Sequence, residues 1–303
     1  MFVLLQMFPC KTLTYVDFSW CEFMRKSPDL SMTPNIKKLY LSYCKNLVEV
    51  HDSIGCLVKL EELELDCCTK LQILPSCLRL KSLTSFSLEN CPSLKRFPNI
   101  SQEMTSLSML SMTSCGFSEL PPSFGNLTGL SGLLLGDHLV HLPGSIYKLQ
   151  NITSLSLDGD VIFPKEMEID RQVQPLCNSY GGLSKYVFPS LNRLSLQSFK
   201  NRSEIDFILT SCCPLTLEEL YIYDSHVTLP ENISRFERLH KLYIENCNEL
   251  REIPRLPQSI RKVDASNSNS LDSSSSSKLF LQVSLSLSLL KFQENCFVRF
   301  GKM

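Results

Sequence analysis

The amino-acid sequence predicts an α/β solenoid, and three observations carry that prediction. A phrase of leucine or a substitute, two variable residues, leucine, one variable residue and leucine begins at Leu13, Ile36, Leu60, Leu83, Leu107, Leu130, Ile152, Leu191, Leu217, Leu239 and Ile260. Most steps between copies are 22 to 24 residues, a period at which each unit lays down one strand and cannot bury its apolar side without neighbours. A second pattern follows many strands, in Leu74-Pro75, Phe97-Pro98, Leu120-Pro121, Leu142-Pro143, Phe163-Pro164, Leu229-Pro230 and Ile253-Pro254. Together they specify a leucine-rich repeat solenoid. The expected shape is a right-handed horseshoe, with a parallel β-sheet on the concave face and loops and short helical turns on the convex face.

The elements follow in order. Residues 1–12 read as a truncated lead-in, because solenoids use polar caps and little chain precedes the first repeat. The repeat domain runs over 13–266, with about eleven units. Inside each unit the apolar positions point into the ribbon and the variable ones face outward, by the period-two alternation of a strand. Proline after the strand argues against a second hydrogen-bonded strand there. Ser53-Ile54-Gly55, Ser123-Phe124-Gly125 and Ser145-Ile146 mark the turns of the convex side. The step from Ile152 to Leu191 is 39 residues long, which implies a protruding insertion at about 165–189. Residues 267–277, with serines from Ser273 to Ser277, read as a linker too polar to order itself. The tail, 278–303, alternates leucine and serine with no evident partner and reads as truncated or disordered.

Composition narrows the function. The chain has 303 residues, 30 basic against 31 acidic side chains and a net charge of -1, so no global field attracts phosphate backbones or anionic lipid. Nucleic acid is not expected as a partner, and no apolar run approaches the roughly 18 residues that would imply membrane insertion. Met1 to Phe8 is apolar, but it lacks a basic leader and a small-residue cleavage pattern and stops at Pro9, which reads against a signal peptide.

The 14 cysteines form no disulfide framework in this reading. Cys21, Cys44, Cys68, Cys91, Cys115 and Cys247 each lie eight residues after a repeat start and form a structural column of reduced thiols, where the chain turns inward and backbone groups need partners. Cys67-Cys68 and Cys212-Cys213 are adjacent pairs, without the spacing of redox or zinc sites. Among the five histidines, His138 and His141 share a turn with no companion ligand, and His51 belongs to the repeat phrase. Glu61, Glu62 and Glu64 are outward strand positions, where a solvated patch is commoner than an acid and base pair. The reading is therefore of a protein that is not an enzyme and holds no cofactor or metal.

Several segments resemble one family, the leucine-rich repeat region of plant intracellular immune receptors of the TIR, nucleotide-binding, leucine-rich repeat class. They include Ser27-Pro28-Asp29-Leu30, then Pro34-Asn35-Ile36-Lys37-Lys38-Leu39-Tyr40-Leu41 with Cys44, and Val50-His51-Asp52-Ser53-Ile54-Gly55. Leu94-Lys95-Arg96-Phe97-Pro98 and Glu119-Leu120-Pro121-Pro122-Ser123-Phe124 follow, and Ile253-Pro254-Arg255-Leu256-Pro257-Gln258-Ser259-Ile260 resembles the family's final repeat. The sequence contains no G-x-x-x-x-G-K-[ST] loop, so nucleotide binding does not carry over. The resemblance implies the sensor part alone. Its implied partner is a protein, either a pathogen effector or a receptor's own nucleotide-binding module, and its implied place is the cytoplasm or nucleus.

Two alternatives stay open. One is an extracellular repeat receptor, favoured by N-x-[ST] sequons at Asn99, Asn126, Asn151, Asn201 and Asn232. The other is a free-standing adaptor or decoy. Rows of outward residues locate the surface. Lys37, Lys38 and Tyr40 stand beside Glu61, Glu62 and Glu64, where the charges neutralise one another. Ser108, Ser111, Ser131, Gly132 and Ser156 are small and make poor anchors. The expected recognition patch is Glu218, Glu219, Tyr221 and Tyr223, then His240, Lys241, Tyr243 and Glu245, then Arg261 and Lys262 with Asp264, because tyrosine and arginine dominate interface energies.

Overall fold

The computed structural model describes residues 10–136, 140–159, 161–164, 186–225, 229, 231–268 and 297–300. Met1 to Pro9, His138, Pro230, the serine run and most of the expected insertion lie outside the described residues. The chain falls into two compact units, Met1–Asn151 with Val161–Gly181, and Ile152–Asp160 with Gly182–Met303. The division falls at the start of the long step in repeat spacing.

In the first unit the strands Tyr15–Asp17, Lys38–Tyr40, Glu62–Glu64, Ser85–Ser87, Met109–Thr113 and Gly132–Gly136 pair in parallel in chain order. In the second, Ser154–Asp158, Arg193–Gln197, Glu219–Tyr223, Lys241–Glu245, Lys262–Ala265 and Phe297–Phe300 do the same. The last strand comes from the stretch expected to be an unpartnered tail. Its Phe297-Val298-Arg299-Phe300 run of aromatic and β-branched residues suits the pleated edge it joins.

Repeats stack in register, so equivalent leucines meet. Leu39, Leu63, Phe86, Leu110 and Leu133 form one buried row, and Leu155, Leu194, Leu220, Leu242 and Val263 form its counterpart in the second unit. Each such side chain contributes about 1.5–3 kcal/mol by leaving water. The flanking residues alternate outward, as the strand period requires.

In ten of the repeats the described chain leaves the strand through one left-handed residue, seven positions after the repeat start. Trp20, Tyr43, Cys67, Asn90, Ser114, Ser198, Asp224, Asn246 and Asn267 have φ between 47° and 63°, and Gly159 has 73°. Asparagine, aspartate and glycine tolerate this region best, which explains five of the ten. The turn aims each N–H at the next repeat: Tyr43 donates to the Asp66 carbonyl (2.7 Å), Cys67 to Glu89 (2.8 Å) and Asp224 to Glu245 (3.0 Å).

One residue later comes the cysteine column. Cys44, Cys68, Cys91, Cys115 and Cys247 are buried, and each thiol donates to the carbonyl of the third apolar residue in the repeat before. The acceptors are Phe18 (3.1 Å), Leu41 (3.2 Å), Leu65 (3.1 Å), Leu88 (2.9 Å) and Ile222 (3.8 Å). Cys21 is only half-buried: it belongs to the first described repeat, which has a described neighbour on one side alone. Ser268 fills the same position as a hydroxyl, donating to the Ile244 carbonyl (3.3 Å) and accepting from the Cys247 N–H (3.2 Å). Burial pushes the Cys91 thiol up to about 12, so it stays protonated and inert.

The opposite side carries short 3-10 turns at Asp52–Cys56, Pro122–Asn126, Gly144–Lys148 and Glu231–Arg235. Gly55 and Gly125 sit where a Cβ would collide with the carbonyl oxygens of Cys77 and Ser145 in the next repeat, so these two turns need glycine to pack there.

Two expectations need correction. The prolines do not exclude a second ladder. Cys77–Leu78 pairs with Asn99–Ile100 and Val140–His141 with Val161–Ile162, because a proline removes only its own N–H and its neighbours still donate. The end of the expected insertion is core: Phe188 is buried, and its N–H donates to the Cys212 carbonyl (3.2 Å). The 26-residue step after Leu191 holds a helix, Arg202–Phe207, continued by the π-turn Ile208–Cys212. Its signal was Asn201 with Glu204 three residues on: the Asn201 side chain accepts from the Ser203 N–H as an N-cap.

Candidate protein-recognition face

The parallel register of the second unit sets Arg193, Glu219, Lys241 and Lys262 side by side in one row. Neighbouring strands lie about 4.8 Å apart, so a carboxylate there meets a cation on each side. Arg193 Nε lies 2.8 Å from Glu219 Oε2, and Lys241 Nζ donates to Glu219 Oε1 at 2.7 Å. The Tyr221 hydroxyl donates to Glu219 Oε2 at 2.8 Å, and His240 Nε2 stands 3.9 Å from Oε1.

Glu219 therefore differs from the solvated residue the alternation implied. It points outward but is only 8% exposed, roofed by the side chains that pair with it. Burial alone would raise its pKa. The hydrogen bonds from Lys241 and Tyr221 and the charge of Arg193 outweigh that and hold the carboxyl down at about 2. Such a carboxylate stays ionised and is no general acid or base near neutral pH.

The next row is Ser195, Tyr221, Tyr243 and Asp264. Tyr221 and Tyr243 stack with ring centroids 4.8 Å apart and planes at 12°, and Tyr223 lies 6.2 Å from Tyr221 at 25°. Lys262 Nζ sits 4.9 Å from the Tyr243 centroid, in cation–π range. Burial, with the hydrogen bond to Glu219, keeps the Tyr221 phenol protonated well above its ordinary range.

Of the patch read from the sequence, the structure brings together Glu219, Tyr221, Tyr223, His240, Lys241, Tyr243 and Lys262. Glu245 shares a row with Tyr223. Glu218 is half-buried and Arg261 exposed, and no ion pair joins either to the cluster among the described residues. Sequence reading missed Arg193. Its signal was its offset, two residues past Leu191, the same as Glu219 from Leu217 and Lys241 from Leu239.

The first unit's face is different. Lys37 pairs with Glu61 and Lys38 with Glu62, each at 2.8 Å, and the Tyr40 hydroxyl donates to Glu62 at 2.5 Å. The small middle rows are bonded rather than open. Ser108 and Ser131 donate to carbonyls of the preceding repeats (3.0 and 3.1 Å), and Ser111 is buried with its hydroxyl on Glu89 (2.5 Å).

Among the described residues no group of three or more His, Cys, Asp or Glu could hold a metal, and no helix is long and apolar enough to cross a membrane. Two sequons have working side chains: the amide nitrogens of Asn126 and Asn151 donate to the carbonyls of Ile100 (2.9 Å) and Thr128 (2.8 Å).

Comparison with known proteins bears on the whole repeat array. The family profile described as "Disease resistance protein RPS4B-like, leucine-rich repeats" matches residues 79–278. TMV resistance protein N of Nicotiana glutinosa is 27% identical, covering 83% of this chain and 25% of its own length. Disease resistance protein RPP4 of Arabidopsis thaliana is 36% identical over 72% of this chain and 17% of its own. The chain thus spans no more than a quarter of these relatives. Among solved structures, the leucine-rich repeat domain of the type III effector XopL aligns with 91% of this chain and 72% of its own at 18% identity and a TM-score of 0.44. A Leptospira interrogans leucine-rich repeat protein covers 86% of this chain and 74% of its own at 19% identity and a TM-score of 0.42. With the repeat phrase, the stacked strands and the matching profile on two thirds of its length, the chain belongs to the leucine-rich repeat family of RPS4B-like plant disease resistance proteins.

Proposed function

We propose that the chain is the protein-recognition module of a plant intracellular immune receptor, working by binding in the defence response and not by catalysis. The observation that carries this reading is the Tyr221–Tyr243 stack, held by Glu219 and flanked by Lys262. Aromatic rings fixed before the partner arrives lose little entropy on binding, and tyrosine is enriched where interface energy concentrates.

The partner is a protein surface, either a pathogen effector or the nucleotide-binding module of a receptor held inactive. Surplus affinity for one receptor state is what shifts such a switch. The cytoplasm or nucleus is the compartment this implies. A free-standing adaptor would use the same face.

The experiment is co-precipitation in plant cells of the tagged chain with a nucleotide-binding module from the same receptor family, with and without candidate effectors. Tyr221→Ala with Tyr243→Ala should reduce capture while Glu103→Lys, at an exposed position in the first unit, leaves it intact. Equal capture by the tyrosine double variant would reject this face.

A further inference from the structure

The first three repeats carry a second surface of different character. Register places three rows side by side: Asp17, Tyr40 and Glu64, then Ser19, Ser42 and Asp66, then the left-handed residues Trp20, Tyr43 and Cys67. Trp20 and Tyr43 stack face to face, with centroids 4.1 Å apart and planes at 1°. Trp20 remains 62% exposed and the nearby Phe23 98%. Bulky rings occupy backbone positions that five other repeats give to Asn90, Gly159, Asp224, Asn246 and Asn267, so folding alone favours a different residue there.

The strand face beside these rings carries carboxylates, while Arg25 lies on the other side, in the pocket with Trp20 and Phe23. Lys37 and Lys38 are taken up by Glu61 and Glu62. Asp17, Glu64, Asp66 and Glu89 have no ion pair with lysine or arginine among the described residues. Burial first, then the charges of Asp66, Glu62 and Asp17, raises the Glu64 pKa against a smaller opposing pull from Lys38. Glu219 in the second unit, two residues after its repeat start, has its cations built in, as Glu62 at that offset has Lys38.

We propose that this face docks an arginine-bearing extended segment of a second protein, the guanidinium seated among Asp17, Glu64 and Asp66 and its stem lying along Trp20 and Tyr43. Arginine fits better than lysine, because a planar guanidinium both stacks on aromatic faces and bonds carboxylates through a fixed fork. The surface is distinct from the tyrosine face of the second unit, and either assignment can fail alone.

The test is fluorescence anisotropy of the full chain with a labelled peptide alternating arginine and glycine, set against lysine and glutamate counterparts. The arginine peptide should bind most tightly and lose affinity with salt, and the glutamate peptide should not bind. Trp20→Asn changes no charge and suits the left-handed backbone, so it should keep the urea midpoint yet weaken arginine-peptide binding roughly fivefold. Glu64→Lys should weaken it roughly tenfold, while Glu103→Lys, the same charge change elsewhere, should cost less than about twofold. The Tyr221→Ala, Tyr243→Ala variant should bind the peptide normally. Wild-type affinity in Trp20→Asn, or equal losses from Glu64→Lys and Glu103→Lys, would show a diffuse field and overturn the site.

Discussion

Glu219→Gln tests how the tyrosine face is held. The substitution keeps an acceptor for the Tyr221 hydroxyl but removes the charge that Arg193 and Lys241 neutralise. The folded carboxyl lies at about 2, against 4.5 for the free group, and about 1.36 kcal/mol per pH unit sets an upper bound of about 3.4 kcal/mol. Arg193 and Lys241 are 56% and 38% exposed, so water screens part of their attraction and about 2 kcal/mol is the better expectation. The sign follows from a depressed pKa. The stabilisation is fully present above pH 4.5 and is lost as pH falls towards 2. Urea unfolding of the wild type and Glu219→Gln should therefore differ by about 2 kcal/mol at pH 7 and converge near pH 2. Because repeat arrays need not unfold in one step, carbon NMR titration of the Glu219 carboxyl is the direct check. A midpoint near the ordinary value, or a stability difference independent of pH, would refute the reasoning.

Other perturbations separate the inside of the stack from its face. Leu63→Asp places a charge in a fully buried row of the first unit and should cost more than about 4 kcal/mol, seen as loss of that unit's protection in hydrogen exchange. Tyr221→Ala with Tyr243→Ala should lower stability by only about 1–2 kcal/mol, and a thermal loss as large as that of Leu63→Asp would contradict the face assignment. Asn246→Val forces a β-branched residue to φ 57° and removes the bond to Asp224 (3.0 Å); a loss of about 2 kcal/mol in urea is expected, against a few tenths for Asn246→Gly. Iodoacetamide on the native chain should modify exposed Cys56 within minutes and leave Cys68, Cys91 and Cys115 unlabelled until denaturant is added, read by peptide mass.

The stack was legible in the sequence because it is written twice, in period and in polarity. The leucine phrase fixes both which residue of each repeat is buried and which residues meet across strands, so the rows through Leu63 and Leu220 follow from counting. The cysteine column was legible as burial but not as a bond. That Cys68 donates to Leu41 needs the distance between repeats, and the kinship of Ser268 shows only once a hydroxyl is seen doing the thiol's work. The helix after Asn201 was hidden because its capping residues sit inside a step only slightly longer than the repeat. Glu219 was misjudged for a different reason: alternation gives the direction of a side chain, whereas its exposure depends on residues two dozen positions away in either direction.

That last dependence governs both faces of the protein. In a parallel in-register stack, each outward residue has neighbours at the same offset in the repeats before and after, so its electrostatics are set by a column and not by its local sequence. Arg193, Glu219 and Lys241 form a column that satisfies itself, and its product is a rigid platform on which aromatic rings can be presented without a charge preference. Asp17, Tyr40 and Glu64 form a column that does not, with two carboxylates flanking a ring and no cation supplied from within. The backbone repeats in both places, but the columns differ in offset, two residues after the repeat start in the first and four in the second. A repeat protein can thus alter what it recognises by changing one offset in one repeat, at a site where the buried leucines are untouched, which is why the recognition chemistry must be sought along columns of equal offset and not along the chain.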